Sequence, residues 1–290
     1  MDDQKHGIVG GYVPERADWT IPQDWHLYSP EEHATWKTLY ERQIKLIPGR
    51  ASQHYMDGLK DLPITADAIP NFDDLSDVLT KRTGWQVVAV PGMVPNDVFF
   101  DHLANRRFPA GQFIRKAHQL DYLQEPDVFH DLFGHVPMMM NPVMADFMQA
   151  YGEGGLKAMR MGELERIARL YWYTTEFGLI EEADDVRIFG AGILSSFTET
   201  RFALESPSPN RLGFELERVM RTHYRIDEFQ EVYFVLPSID TLFDLANTAF
   251  DPIYERMKGQ PDFKPSTVLD ADRVFTCGTG DYHAALLEKA

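Results

Sequence analysis

The chain has 290 residues, 44% of them apolar, and 45 acidic against 28 basic side chains leave a formal charge of −17. Such a surface repels phosphate backbones and anionic lipid, which argues against nucleic-acid or membrane-surface binding and for a small-molecule substrate. A lone cysteine, Cys277, excludes an internal disulfide and a cysteine-built zinc site. No run approaches the ~18 apolar residues of a membrane span and the polar N-terminus has no signal-peptide core, so cytoplasm is the expected compartment.

Residues 1–28 carry Gly, Pro and scattered aromatics without a period and read as an extended arm lying on the core. Ser29, Pro30 and Glu32 form a capping-box signature, and Trp36, Leu39, Tyr40 and Ile44 then recur at helical spacing until Pro48-Gly49. A second capped helix opens at Asn71 and ends at Gly84. WQVVAV at 85–90 reads as a strand, followed by a loop with Pro91, Gly92 and Pro95. Further helices are expected near 96–106, 143–151, 163–183, 195–205 and 239–257, with short strands at 187–190 and 231–236. With no repeat or linker, the pattern predicts one mostly α domain with short β-strands (α+β), occupying 29–290 behind the arm.

His130 and His135 stand five apart in EPDVFHDLFGHVP. On a regular helix positions five apart differ by about 140° around the axis, whereas two ligands on one face want a spacing of four. The pair can meet only if the helix ends between them. Pro126 fits a first turn, Gly134 fits a left-handed closing position, and Pro137 blocks resumption, so a two-turn helix ending at Gly134 is expected. Two histidines alone are equally compatible with a capping and a buried imidazole. Asp127 and Asp131 flank His130, and each is a candidate to hold a ring N–H.

The stretch IARLYWYTTEFGLI at 167–180 is apolar nearly all the way round after Arg169, the mark of a buried helix, yet it carries Glu176. A buried unpaired carboxylate costs several kcal/mol, so Glu176 needs an arginine (Arg115 or Arg201), a proton or a metal. Two imidazoles and a carboxylate on one side of a metal form the facial triad of non-haem Fe(II) oxygenases, with zinc as the competitor on ligands alone.

The strings EPDVFHDLFGHVP, YWYTTEFGL and GAGILSSF resemble the aromatic amino acid hydroxylases, pterin-dependent iron monooxygenases, over about residues 30 to 250. The likeness is closest to bacterial single-domain members that act on phenylalanine. The resemblance implies that His130, His135 and Glu176 bind Fe(II), and that tetrahydropterin (tetrahydrobiopterin or similar) and O₂ serve the conversion of L-phenylalanine to L-tyrosine. It implies that Arg115 grips the substrate carboxylate, that Pro126, Trp172 and Phe177 line the substrate pocket, and that Ser195 lies close to iron and substrate. Phe99 matches the aromatic that stacks on the pterin, with Val94, Asp131 and Tyr171 beside it. The loop VPGMVPNDVFF departs from the animal members' pattern, which bears on the register of Val94 and Phe99. The sequence also shows neither the regulatory domain nor the heptad tail of the animal enzymes, so a monomer or weak dimer is expected.

Tryptophan or tyrosine as preferred substrate, a zinc hydrolase and a purely structural triad are the competing readings. Side-by-side turnover of the three amino acids separates the substrates, and metal analysis separates the rest: the oxygenase reading expects iron in the isolated protein and its loss in Glu176→Gln, a hydrolase expects zinc, and a structural triad expects metal content unchanged by that substitution.

Overall fold

The computed structural model describes residues 14–121, 125–183 and 185–288, so the first thirteen residues of the expected arm lie outside it. From residue 14 on, the arm turns at residues 15–18, where the Trp19 N–H donates to Arg16 O at 3.0 Å, and again in a 3₁₀ turn at Trp25–Leu27. It is pinned to the body by Ile21 N–H to Ala89 O (2.9 Å), the Trp25 indole N–H to Ile69 O (2.6 Å) and the Tyr28 hydroxyl to Gln112 O (2.7 Å).

The first helix, Pro30–Leu46, starts where its capping box places it. Ser29 Oγ accepts the Glu32 N–H at 3.2 Å, and Glu32 Oε2 accepts the Ser29 N–H at 2.7 Å. It buries Trp36, Leu39 and Gln43. The helix Phe72–Thr83 is likewise capped by Asn71 and closed by Gly84 in the left-handed region. Between them lies a helix that the sequence pattern did not announce, Gln53–Asp61, capped by Ser52.

Among the described residues, two small sheets frame the core. Strands β1 (Gln86–Val90) and β2 (Arg107–Gly111) pair in parallel, and the helix Asn96–Ala104 makes the crossover. Strands β3 (Leu179–Glu182), β4 (Asp185–Ile188), β5 (Asn210–Gly213), β6 (Val232–Leu236) and β7 (Val274–Thr276) form a second sheet in the order β4-β3-β6-β5-β7. Here β3–β6 and β5–β6 are parallel, and β3–β4 and β5–β7 antiparallel. The side chains with least exposure include Trp36, Tyr55, Trp85, Tyr173 and Tyr233.

Several boundaries differ from the sequence expectation. The helix expected at 143–151 is Pro142–Met161; it continues through Gly152 because a Cβ there would lie 2.3 Å from Ala104 N, so the glycine serves close packing on Asn96–Ala104 and not a stop. The helix expected at 163–183 stops at Glu176, and Leu179–Glu182 is strand β3, paired on both sides by β4 and β6. Sheet pairing there overrides helical pattern. The stretch at 239–257 is two helices, Asp240–Ala246 and Asp251–Met257, and the expected strand at 187–190 sits earlier, as Asp185–Ile188. Among the described residues no helix is long and apolar enough to cross a membrane.

Ser29→Ala removes the hydroxyl that accepts the Glu32 N–H, the side-chain half of the capping box, and should destabilise the protein by about 1 kcal/mol in chemical denaturation, with an unchanged denaturant dependence.

Candidate metal centre

The five-residue step between the histidines is spanned by a π-helical turn, His130–His135, and not by a helix that stops at Gly134. Its bonds run from i to i+5, so the second histidine sits about one turn above the first. Pro126 precedes the helical residues, which begin at Val128, and Pro137 does not end the run: a 3₁₀ segment, Val136–Met140, follows directly. Gly134 is required by space. A Cβ there would lie 2.8 Å from Ala191 O.

Glu176 comes from a second wide turn. The α-helix Leu164–Tyr171 passes into a π-helical turn, Trp172–Glu176, closed by Phe177 N–H to Trp172 O at 2.8 Å. The two turns meet across the GAG segment. A Cβ on Gly190 would lie 2.5 Å from Glu176 O, just as one on Gly134 would lie 2.8 Å from Ala191 O.

This brings three donors together. His130 Nε2 lies 3.1 Å from His135 Nε2, His135 Nε2 lies 3.1 Å from Glu176 Oε1, and His130 Nε2 lies 3.6 Å from Glu176 Oε2. All three ligand atoms fall within 4.8 Å of one another. Arg115 and Arg201, the alternative partners for Glu176, pair elsewhere, with Asp127 and Glu205.

The surroundings set protonation. The Ser195 hydroxyl donates to Ala191 O (2.8 Å) and so accepts the Nδ1–H of His130 (2.9 Å), which leaves Nε2 with its lone pair toward the cluster. Burial pulls the His130 imidazole down to about 4 despite the Glu176 carboxylate, so it is neutral at pH 7. Burial pushes Glu176 up, but the two imidazoles and the bonds from His135 and the Tyr171 hydroxyl outweigh it and hold the carboxyl below its usual range. A neutral imidazole and an ionised carboxylate are the forms that bind a divalent metal, so the donor set fits one.

Neither flanking aspartate holds a histidine ring, contrary to the sequence expectation. Asp127 takes the Arg115 guanidinium in a fork (Nε–Oδ2 2.8 Å, Nη2–Oδ1 2.9 Å), together with the main-chain N–H groups of Arg115 and His130. Asp131 accepts the Gly111 N–H at 2.8 Å, and burial pushes it up to about 7. These partners come from other elements and have no local signature.

On one side of the cluster Tyr171 lies along His135 (6.3 Å, 25°) and meets Phe99 edge-on at 5.9 Å. Val94 lies just ahead of the helix that carries Phe99. Trp172 and Phe177 pack on each other at 4.7 Å, and Pro126 adjoins Gly111. Trp172 also stacks on Tyr224 at 4.3 Å, a residue that the sequence reading passed over because it lies in an irregular polar segment.

The biopterin-dependent aromatic amino acid hydroxylase family matches residues 20–251. The chain is 57% identical over 280 residues to a phenylalanine-4-hydroxylase of Caulobacter vibrioides, covering 96% of this chain and 95% of that one. It is 55% identical over 264 residues to the enzyme of that name from Ralstonia nicotianae, covering 91% and 84%. Among solved structures, Chromobacterium violaceum phenylalanine hydroxylase with bound iron(III) and oxidised 7,8-dihydrobiopterin has a TM-score of 0.87 at 53% identity, covering 91% of this chain and 96% of that one. The same enzyme with iron and phenylalanine bound has a TM-score of 0.86 at 50% identity, covering 91% and 97%.

Ser195→Ala removes the acceptor that fixes the His130 ring and should weaken metal affinity about 10- to 100-fold, read by competition with a chelator.

Proposed function

This chain belongs to the biopterin-dependent aromatic amino acid hydroxylase family, and on that premise we propose that it hydroxylates L-phenylalanine to L-tyrosine and that His130, His135 and Glu176 are its iron ligands. The observation that carries the site assignment is the meeting of these three donors from two separate wide turns. The enzyme is a pterin-dependent non-haem iron monooxygenase, and iron with a tetrahydropterin supplies the activation of O₂ for attack on the aromatic ring.

The chain's own residues hold the reactants in register. His130 and His135 present Nε2 and Glu176 its carboxylate, and these three would hold the iron, which would supply the activation of O₂. Arg115 is the group for the substrate carboxylate; Asp127 orients its fork, and Nη1, which makes only a 3.4 Å bond to Leu120 O, has donors to spare. Trp172, Phe177 and Pro126 enclose the substrate ring, and Ser195 steadies His130 beside it. Phe99 and Tyr171 offer aromatic faces to the pterin, with Val94 and Asp131 alongside. The Tyr171 hydroxyl also donates to Glu176, and burial raises its pKa, so it keeps its proton while the carboxylate stays charged.

Residues 29–290 form the catalytic domain in this reading, with 1–28 as an arm. The formal charge of −17 supports a monomer or weak dimer that binds no nucleic acid, and a cytoplasmic location belongs to the same reading.

Anaerobic reconstitution with Fe(II), followed by phenylalanine, tetrahydropterin and O₂, should yield tyrosine. Tryptophan and tyrosine supplied side by side should turn over more slowly. Absence of tyrosine from an iron-loaded, pterin-supplied protein would falsify the assignment.

A further inference from the structure

Trp172 opens the turn that ends on Glu176, and its indole lies between Tyr224 (ring centroids 4.3 Å apart, planes at 16°) and Phe177 (4.7 Å, 33°). Ring contacts of this kind tolerate sliding and in-plane rotation, because offset arrangements differ little in energy. The directional restraint on the indole is one bond, Nε1–H to Gln230 Oε1 at 3.0 Å.

Gln230 is 2% exposed and its amide is held on both ends. Its Nε2–H donates to Arg225 O at 2.8 Å, and its Oε1 also accepts the Arg225 N–H at 3.4 Å. Its main-chain N–H donates to the buried Glu199 carboxylate, which also receives the Tyr233 hydroxyl. These partners decide which end of the amide faces the indole, since the reverse setting opposes N–H to N–H at Trp172 and carbonyl to carbonyl at Arg225. Arg225 adjoins Tyr224 in the chain, so one amide restrains both Trp172 and the ring stacked on it.

We propose that Gln230 is a specificity-determining positioning residue: its amide locks the Trp172–Tyr224 wall and so fits the site to the phenyl ring of phenylalanine over the larger indole of tryptophan. The proposal rests on the reading that Trp172 and Phe177 enclose the substrate ring. Gln230 touches neither metal nor substrate. Its effect runs through the wall, and an unlocked wall yields to a bulkier ring while the reacting groups stay in place.

Gln230→Met fills a similar volume without the amide. The KM for phenylalanine should rise about tenfold, the worth of one buried hydrogen bond, with kcat within about threefold of wild type. The kcat/KM preference for phenylalanine over tryptophan should fall by a similar factor. In a Trp172→Phe background, which lacks the indole N–H, the same substitution should change neither quantity appreciably, because the bond is already gone. Near-ultraviolet circular dichroism of the metal-free protein should change on Gln230→Met, and calorimetric titration with phenylalanine should follow KM. Equal effects of Gln230→Met in both backgrounds, or an unmoved preference with an unmoved dichroism band, overturn the proposal. Should Gln230→Met not fold, Trp172→Phe alone decides, since an unchanged preference there overturns it as well. A wild-type protein that neither binds nor hydroxylates phenylalanine overturns the functional reading instead.

Discussion

The candidate site depends on the close seating of two π-helical turns against one glycine-bearing segment. His130–His135 approaches Ala191 through Gly134, and Trp172–Glu176 approaches Gly190, each at a distance that a Cβ would close to 2.8 Å or less. A π turn gives up hydrogen-bond geometry relative to an α-helix and persists only where packing supports it. Here the support is mutual. The widened turns carry the donors inward, and the GAG backbone between them leaves no room for a side chain that would force them apart. The same segment continues to Ser195, whose hydroxyl orients His130.

A second constraint is electrostatic. Several ionisable groups lie within a few residues of the cluster, and each has a partner suited to its charge. Arg115 and Asp127 form a buried fork, Glu176 faces two imidazoles and a tyrosine hydroxyl, and Asp131 takes a backbone N–H while burial drives it toward neutrality. Breaking one member of such a buried set leaves the other uncompensated, a loss of about 3–5 kcal/mol for an ion pair. Burial also keeps His130 neutral, and Glu176 stays ionised, the forms of those two groups that a metal requires. Phe129, stacked on Phe133 at 4.9 Å, and the Tyr55 hydroxyl, bonded to Phe133 O at 2.6 Å, hold the outer side of the first turn in the core.

How much of this was legible from sequence depended on whether the deciding interactions were local. The helices Pro30–Leu46 and Phe72–Thr83 were legible to within a residue because their caps are written in four consecutive positions. Glu176 was legible because a carboxylate among aromatics demands a partner wherever the chain goes. Gly134 was misread as a helix stop, since a glycine needed for close approach and one needed for a left-handed turn look alike until the neighbour is known. The true partners of the aspartates beside His130 were hidden for a similar reason: Arg115 and Gly111, which claim them, lie on other elements. Strand β3 was hidden inside an apparent helix because β4 and β6 decide it.

The amino-acid sequence by itself determined the chemistry available: two imidazoles and a buried carboxylate, an apolar and aromatic environment for them, an acidic surface, and the order of motifs that marks the family. Only the tertiary structure decided how a five-residue step could serve one metal, which aspartate holds which partner, and that Trp172 is gripped by Gln230. The physical reason is that donor identity is a property of single residues, whereas donor geometry comes from backbone approaches and buried hydrogen bonds between segments far apart in the chain.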